Sequence, residues 1–247
     1  MPDLPSLLLL AVVGVLAGGI AGVVGFGSAV LLLPVCNAVF GPLPSVGILT
    51  VAALIGNLSR VALWYRDVQW SVVWRYWLGG IPFAILGSLL LVKIEAQFLT
   101  LAFGLFVLLL IPIRRRMDNS DRRMRLSHFP LLGAVMGFLS AIVSTTGPIN
   151  APFYISYGLT QGAYLSTEAL GTAGIHLTKS LAYGKFATLD QRGLAVGISL
   201  GVCLLIGVAI SKPLVAKLKN DRFVMLMEAL LAVSGLLMIM QALIPSS

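Results

Sequence analysis

Two stretches of small and hydroxyl-bearing residues interrupt otherwise apolar sequence: Gly25-Phe26-Gly27-Ser28 and Ser144-Thr145-Thr146-Gly147-Pro148. Glycine permits open backbone, and proline in the first turn suits a helix start. Each break is therefore expected to precede a short helix whose first N–H groups have no partner within it. Such groups, reinforced by the helix dipole, form a ready site for an anion. The other reading is close helix packing through small residues. That reading fits the series Gly14, Gly18 and Gly22 better, whereas the paired breaks fit a binding site better. At membrane depth, irregular backbone is tolerated only where it is buried in protein or lines a cavity.

Two cations stand at matching places downstream of the breaks: Arg60 follows Asn57 by three residues, and Lys179 follows His176 by three. A charge within an apolar run is costly and usually faces the interior or a cavity; the alternative is snorkelling to a membrane surface. Glu168, Thr172, His176 and Lys179 follow one another at intervals of four, four and three, so they share one helix face. Their counterparts in the earlier half are Leu49, Ala53, Asn57 and Arg60, so only the later half carries a carboxylate and a histidine. Glu168 is a candidate proton carrier, or else it caps a helix dipole or neutralises a neighbouring cation. His176 is a second candidate for titration near neutral pH, with a hydrogen-bonded packing role as the alternative. His128 reads as an interface residue.

The elements that must hold these residues are set by composition. The chain has 247 residues, of which 58% are hydrophobic and 11% charged, and its mean hydropathy is +0.99. A water-facing domain needs about a quarter of its residues charged, so a soluble enzyme, a secreted disulfide scaffold and a disordered chain are excluded. Apolar runs lie at 6–24, 27–40, 45–65, 71–92 and 95–113, and again at 129–144, 147–159, 162–184, 193–212 and 223–244. The second run of each set has ~13 residues, about 20 Å of helix against a hydrocarbon core of about 30 Å. Both are read as half-helices or re-entrant segments. The two sets repeat at an offset near 119 residues: Gly14/Gly18 with Gly133/Gly137, Asn57/Arg60 with His176/Lys179, and Tyr65 with Tyr183. With five segments in each copy, the second should enter the membrane in the opposite sense, the pattern of secondary transporters with broken helices. The expected fold is an all-α polytopic membrane protein of two inverted five-segment repeats, 1–113 and 129–247, joined by a basic cytoplasmic linker at 114–128.

Charge distribution supplies the orientation. Arg114, Arg115, Arg116, Arg122, Arg123 and Arg125 hold six of the seventeen basic residues, and such clustering beside spans marks the cytoplasmic side rather than a nucleic-acid partner. If every run crosses, Arg66 and the Lys212–Arg222 group also lie inside, and both termini lie outside. Asp3 and the lack of a basic stretch before the first run argue against a cleaved signal peptide. Glu228 is expected to pair with the Lys212–Arg222 group, and Trp64, Trp70, Trp74, Trp77, Tyr65 and Tyr183 to form an interfacial belt. Cys36 and Cys203 lack metal or disulfide spacing. Nothing resembles a nucleophile elbow, a zinc-binding helix or a phosphate loop, so neither an enzyme nor a resident cofactor or metal is expected.

At the paired breaks the chain resembles the sulfite exporter TauE/SafE family of membrane permeases. The first copy reads GFGSAVLLLP, residues 25–34, and the second STTGPINAP, residues 144–152; Lys179-Ser-Leu-Ala-Tyr183 through Leu189-Asp190 is similar to that family's polar helix end. The sequence departs from the family's usual glycine runs at Ser28-Ala29 and Thr145-Thr146, which adds hydroxyl donors. The resemblance implies export of sulfite, organosulfonates or related anions across the inner membrane. The residues alone point to a small-anion transporter working by alternating access. Gly25, Gly27, Ser28, Asn57, Arg60, Thr145, Thr146, Gly147, His176 and Lys179 would bind the anion, with a proton or sodium ion as coupling partner through Glu168 or His176. A passive anion channel, or an importer of another small solute, is the alternative. Oligomeric state is not legible.

Overall fold

The computed structural model describes residues 4–90, 124–143, 146–185 and 189–217, with isolated positions at 108 and between 219 and 240. The expected fifth run at 95–113 apart from position 108, Arg114 to Arg123 of the linker, Ser144, Thr145 and Glu228 lie outside the described residues, as does most of the run at 223–244. The described helices are α1 (Leu4–Val24), α2 (Ser28–Phe40), α3 (Pro42–Leu63), α4 (Trp70–Leu90), α5 (Phe129–Val143), α6 (Gly147–Ser156), α7 (Gln161–Lys185) and α8 (Gln191–Lys217). No strand occurs among the described residues.

Helix boundaries follow local chemistry. Gly41, at φ 80°, ends α2 with its N–H on the Asn37 carbonyl, and Pro42 opens α3 at once, where the absent proline N–H costs nothing. Gly158, at φ 105°, turns the chain after α6, donating its N–H to the Ile155 carbonyl at 2.8 Å. Both short runs are confirmed as short, with 13 residues in α2 and 10 in α6. Helices α2 and α6 begin 119 residues apart, and so do α3 and α7. Most of α1, α3, α4 and α8 is long and apolar enough to cross a membrane. Helix α7 has the length, 25 residues, but not the apolarity, because its polar side chains are turned into the protein.

Large apolar side chains point outward and small ones inward. On α1, Leu4, Leu8, Val12 and Leu16 are exposed while Gly14, Ala17, Gly18 and Ala21 are buried. Lipid solvates leucine as well as a protein core does, so close approach of small residues drives association instead. A side-chain carbon on Gly18 would lie 2.8 Å from Leu204 Cα on α8, and one on Gly14 would lie 2.9 Å from Cys203 Cβ. The corresponding Gly133 and Gly137 on α5 press against α4, where added carbons would meet Gly80 N at 3.1 Å and Gly80 Cα at 2.9 Å respectively.

Helices pack chiefly as α4 with α5, α1 with α8, α3 with α8, α4 with α7, and α3 with α7. Exchanging the halves, α1 for α5, α3 for α7 and α4 for α8, maps this set of pairs onto itself. The two third helices, α3 and α7, consequently meet at the centre. Beside them lies an aromatic cluster in which the Tyr154 ring stands 5.2 Å from Phe129, 6.0 Å from Tyr76 and 6.3 Å from Tyr164.

Candidate functional site

The break after α1 needs glycine twice. Gly25 and Gly27 have φ values of 88° and 102°, a region that residues with a Cβ enter at a cost. The backbone there leaves the helix, and α2 restarts at Ser28. The break in the second half ends with Thr146 ahead of α6. The two breaks touch: a carbon added to Gly147 would lie 2.6 Å from Phe26 Cβ.

Among the described residues no side-chain hydrogen bond caps the N-terminus of α2 or of α6. Threonine commonly caps a helix start with its own hydroxyl, yet Thr146 Oγ1 is buried and has no partner among the described residues. Both helix starts open instead on a common cavity of about 40 Å³, room for about three or four water molecules at ~10–15 Å³ each. Its wall takes Gly25, Phe26, Gly27, Ser28 and Ala29 from the first break, and Thr146 and Gly147 from the second. Helix α3 adds Ala53, Asn57 and Arg60; α7 adds Glu168, Thr172 and His176.

Arg60 organises the wall. Its guanidinium donates to the Gly25 carbonyl, to Asn57 Oδ1 and, at 3.1 Å, to Glu168 Oε2. Glu168 and Arg60 thus form an ion pair between the halves, with side chains 1% and 6% exposed. The other carboxylate oxygen, Oε1, lies 2.7 Å from Thr172 Oγ1, whose hydroxyl is also 2.6 Å from the Glu168 carbonyl. Removing either charge would strand the other in a low dielectric. His176 is buried two turns beyond Glu168 on α7, and its Nδ1 has no hydrogen-bond partner among the described residues.

The arrangement decides several open alternatives. Arg60 and Lys179 are both buried, at 5% and 0% exposure, so neither snorkels to a surface. Lys179 does not reach the cavity wall. Its Nζ donates to the Ser140 carbonyl at 2.7 Å, in the last turn of α5, where carbonyls lack intrahelical partners and the dipole favours a cation. Arg60 bonds the Gly25 carbonyl just past the end of α1, so each half ends its first helix on the cation of its third. Glu168 is paired with a neighbouring cation, and that neighbour is Arg60. Trp77 departs from a simple belt, donating its indole N–H to the Gly171 carbonyl at 2.9 Å, while Tyr65, Trp70 and Trp74 are exposed.

Of the residues expected to bind an anion, Gly25, Gly27, Ser28, Asn57 and Arg60 from the first half converge on the cavity. Thr146, Gly147 and His176 join them from the second, as does Glu168; Lys179 stands apart and Thr145 lies outside the described residues. Sequence reasoning missed Phe26 and the aromatic shell around Glu168. Helical spacing could have flagged Tyr164, one turn before Glu168, but nothing local links Tyr76 or Asn150, whose Nδ2 lies 3.0 Å from the Tyr76 hydroxyl. No cluster of three or more metal-binding side chains occurs among the described residues.

A family model described as Sulfite exporter TauE/SafE matches residues 10–238. No curated protein and no solved structure matches the chain.

Proposed function

The chain belongs to the sulfite exporter TauE/SafE family of membrane transporters of sulfur anions, and on that premise we propose that it exports a small sulfur-containing oxyanion or sulfonate across the inner membrane through the cavity between its two breaks. One observation carries this reading: two helix N-termini, one from each half and neither capped by a side chain, open onto the same buried cavity as a guanidinium. Free N–H groups at a helix start suit a tetrahedral oxyanion, and an arginine fork matches two of its oxygens at once. The Ser28 and Thr146 hydroxyls add donors. Lys179 contributes by holding the end of α5, not by touching the anion.

The repeats, 1–113 and 129–247, would be inverted across the basic linker at 114–128, which faces the cytoplasm together with Arg66 and the Lys212–Arg222 group. The self-mapping set of helix pairs supports a two-fold relation between halves, and five segments per half give that relation its inverted sense. Alternating access would then rock one set of helices about the cavity. Flux of radiolabelled sulfite and methanesulfonate into proteoliposomes tests the reading: it should saturate and support counterflow, and Arg60→Ala should abolish it in protein that still elutes as a single species. Flux that rises without saturation indicates a pore, and unchanged flux in Arg60→Ala removes the cavity from the route.

A further inference from the structure

The cavity holds one cation and one anion on its wall, Arg60 and Glu168, paired at 3.1 Å. An entering anion would meet a guanidinium whose facing donors are already engaged, and it would leave the enclosed space with an uncompensated negative charge. Buried charge without a counter-charge is strongly disfavoured. Among the described residues no second cation lines the cavity, and Lys179 is held on the Ser140 carbonyl instead. We propose that the Glu168 carboxylate is a tethered stand-in for the transported anion, occupying Arg60 while the cavity is empty and yielding it only on taking up a proton.

This proposal rests on the anion-transport reading and adds its coupling. On anion entry, a proton from water bonds to a Glu168 carboxylate oxygen, the ion pair opens, and Arg60 turns its freed N–H to the anion. With a singly charged anion such as methanesulfonate the total charge at the cavity stays at zero, and no other bond is made or broken. The neutral carboxyl becomes a donor as well as an acceptor. Thr172, 2.7 Å from Oε1, can then accept the new O–H, since a hydroxyl serves in either sense. Among the described residues the groups facing Glu168 are Arg60 from α3, its counter-charge, and three neutral phenols, Tyr76 from α4, Tyr154 from α6 and Tyr164 from α7 itself. His176, two turns away on the same wall and facing Lys179, is the other group able to receive the proton.

Calorimetry on the purified full-length chain, in buffers of differing ionisation enthalpy, counts protons taken up per anion bound. Methanesulfonate, thiosulfate and sulfate serve as probes because their own charge is constant across the neutral range. About one proton should enter with methanesulfonate, and its Kd should weaken about tenfold per pH unit on the alkaline side. Glu168→Gln should bind it with a Kd that no longer changes with pH. Binding to the unaltered protein without proton uptake overturns the proposal, whether or not the variant folds. Proton uptake that survives in Glu168→Gln and disappears in His176→Gln also overturns it, giving the proton to the histidine. If none of the three anions binds the unaltered protein, the transport reading falls and this proposal falls with it.

Discussion

Gly25 and Gly27 resist substitution for different reasons. Both have positive φ, so alanine at either costs about 1–2 kcal/mol of backbone strain. At Gly25 the new carbon would also lie 2.6 Å from the Tyr164 ring, whereas at Gly27 the nearest atom is Ile20 Cγ2 at 3.3 Å. Thermal unfolding in detergent should therefore show Gly25→Ala losing clearly more stability than Gly27→Ala; equal losses would mean that the tyrosine gives way. The helical face bearing Glu168, Thr172 and His176 was readable from spacing alone, because a period of 3.6 stacks such positions. Lys179 fell on the same face and yet left the cavity, since a flexible side chain one turn further along reaches a free carbonyl of α5 instead. The partner of Glu168 was not readable: Arg60 stands 108 residues away, and pattern within one helix says nothing about which helix lies opposite.

Among the helices, the glycines separate packing from mere presence. Gly18 and Gly19 are neighbours in α1, but a carbon on Gly18 would press on the Leu204 backbone, while on Gly19 its nearest neighbour would be the Gly207 carbonyl at 3.9 Å. Gly18→Ala should part α1 from α8 and lower the unfolding temperature. Gly19→Ala should be tolerated, or even gain up to about 1 kcal/mol from helix propensity; the pair of melting curves checks both. Helix limits were largely legible because proline and glycine mark them at the chain level, as at Gly41-Pro42 and Gly147-Pro148. The partner for each glycine stripe was not, since a row of small residues shows that something approaches closely without naming what. Hydropathy alone would have undervalued α7, whose polar side chains are affordable only because α3, α4 and α6 surround them.

Taken whole, the molecule carries an ion pair between its closely packed halves, Arg60 with Glu168, so the two should be energetically coupled. Glu168→Gln leaves a stranded guanidinium and should cost about 3–5 kcal/mol of stability. Arg60→Gln with Glu168→Gln should recover most of that loss while remaining inactive in flux assays; a double variant no more stable than the single ones would show that the two charges are not coupled. The repeat was read in sequence from an offset near 119, and α2 with α6 and α3 with α7 start 119 residues apart. Which helices cross between halves had to come from packing, because an offset carries no information about neighbours in space. The convergence of two uncapped helix starts also bears on handling the protein at the bench. Two positive dipole ends facing one small space repel each other, and an anion between them relieves that repulsion. Buffer salt is then a structural ingredient: at a hundred times its Kd, a fitting anion adds about 2.7 kcal/mol to the folded state. Exchange into a medium of large organic anions that cannot enter should make the purified transporter measurably less heat-resistant.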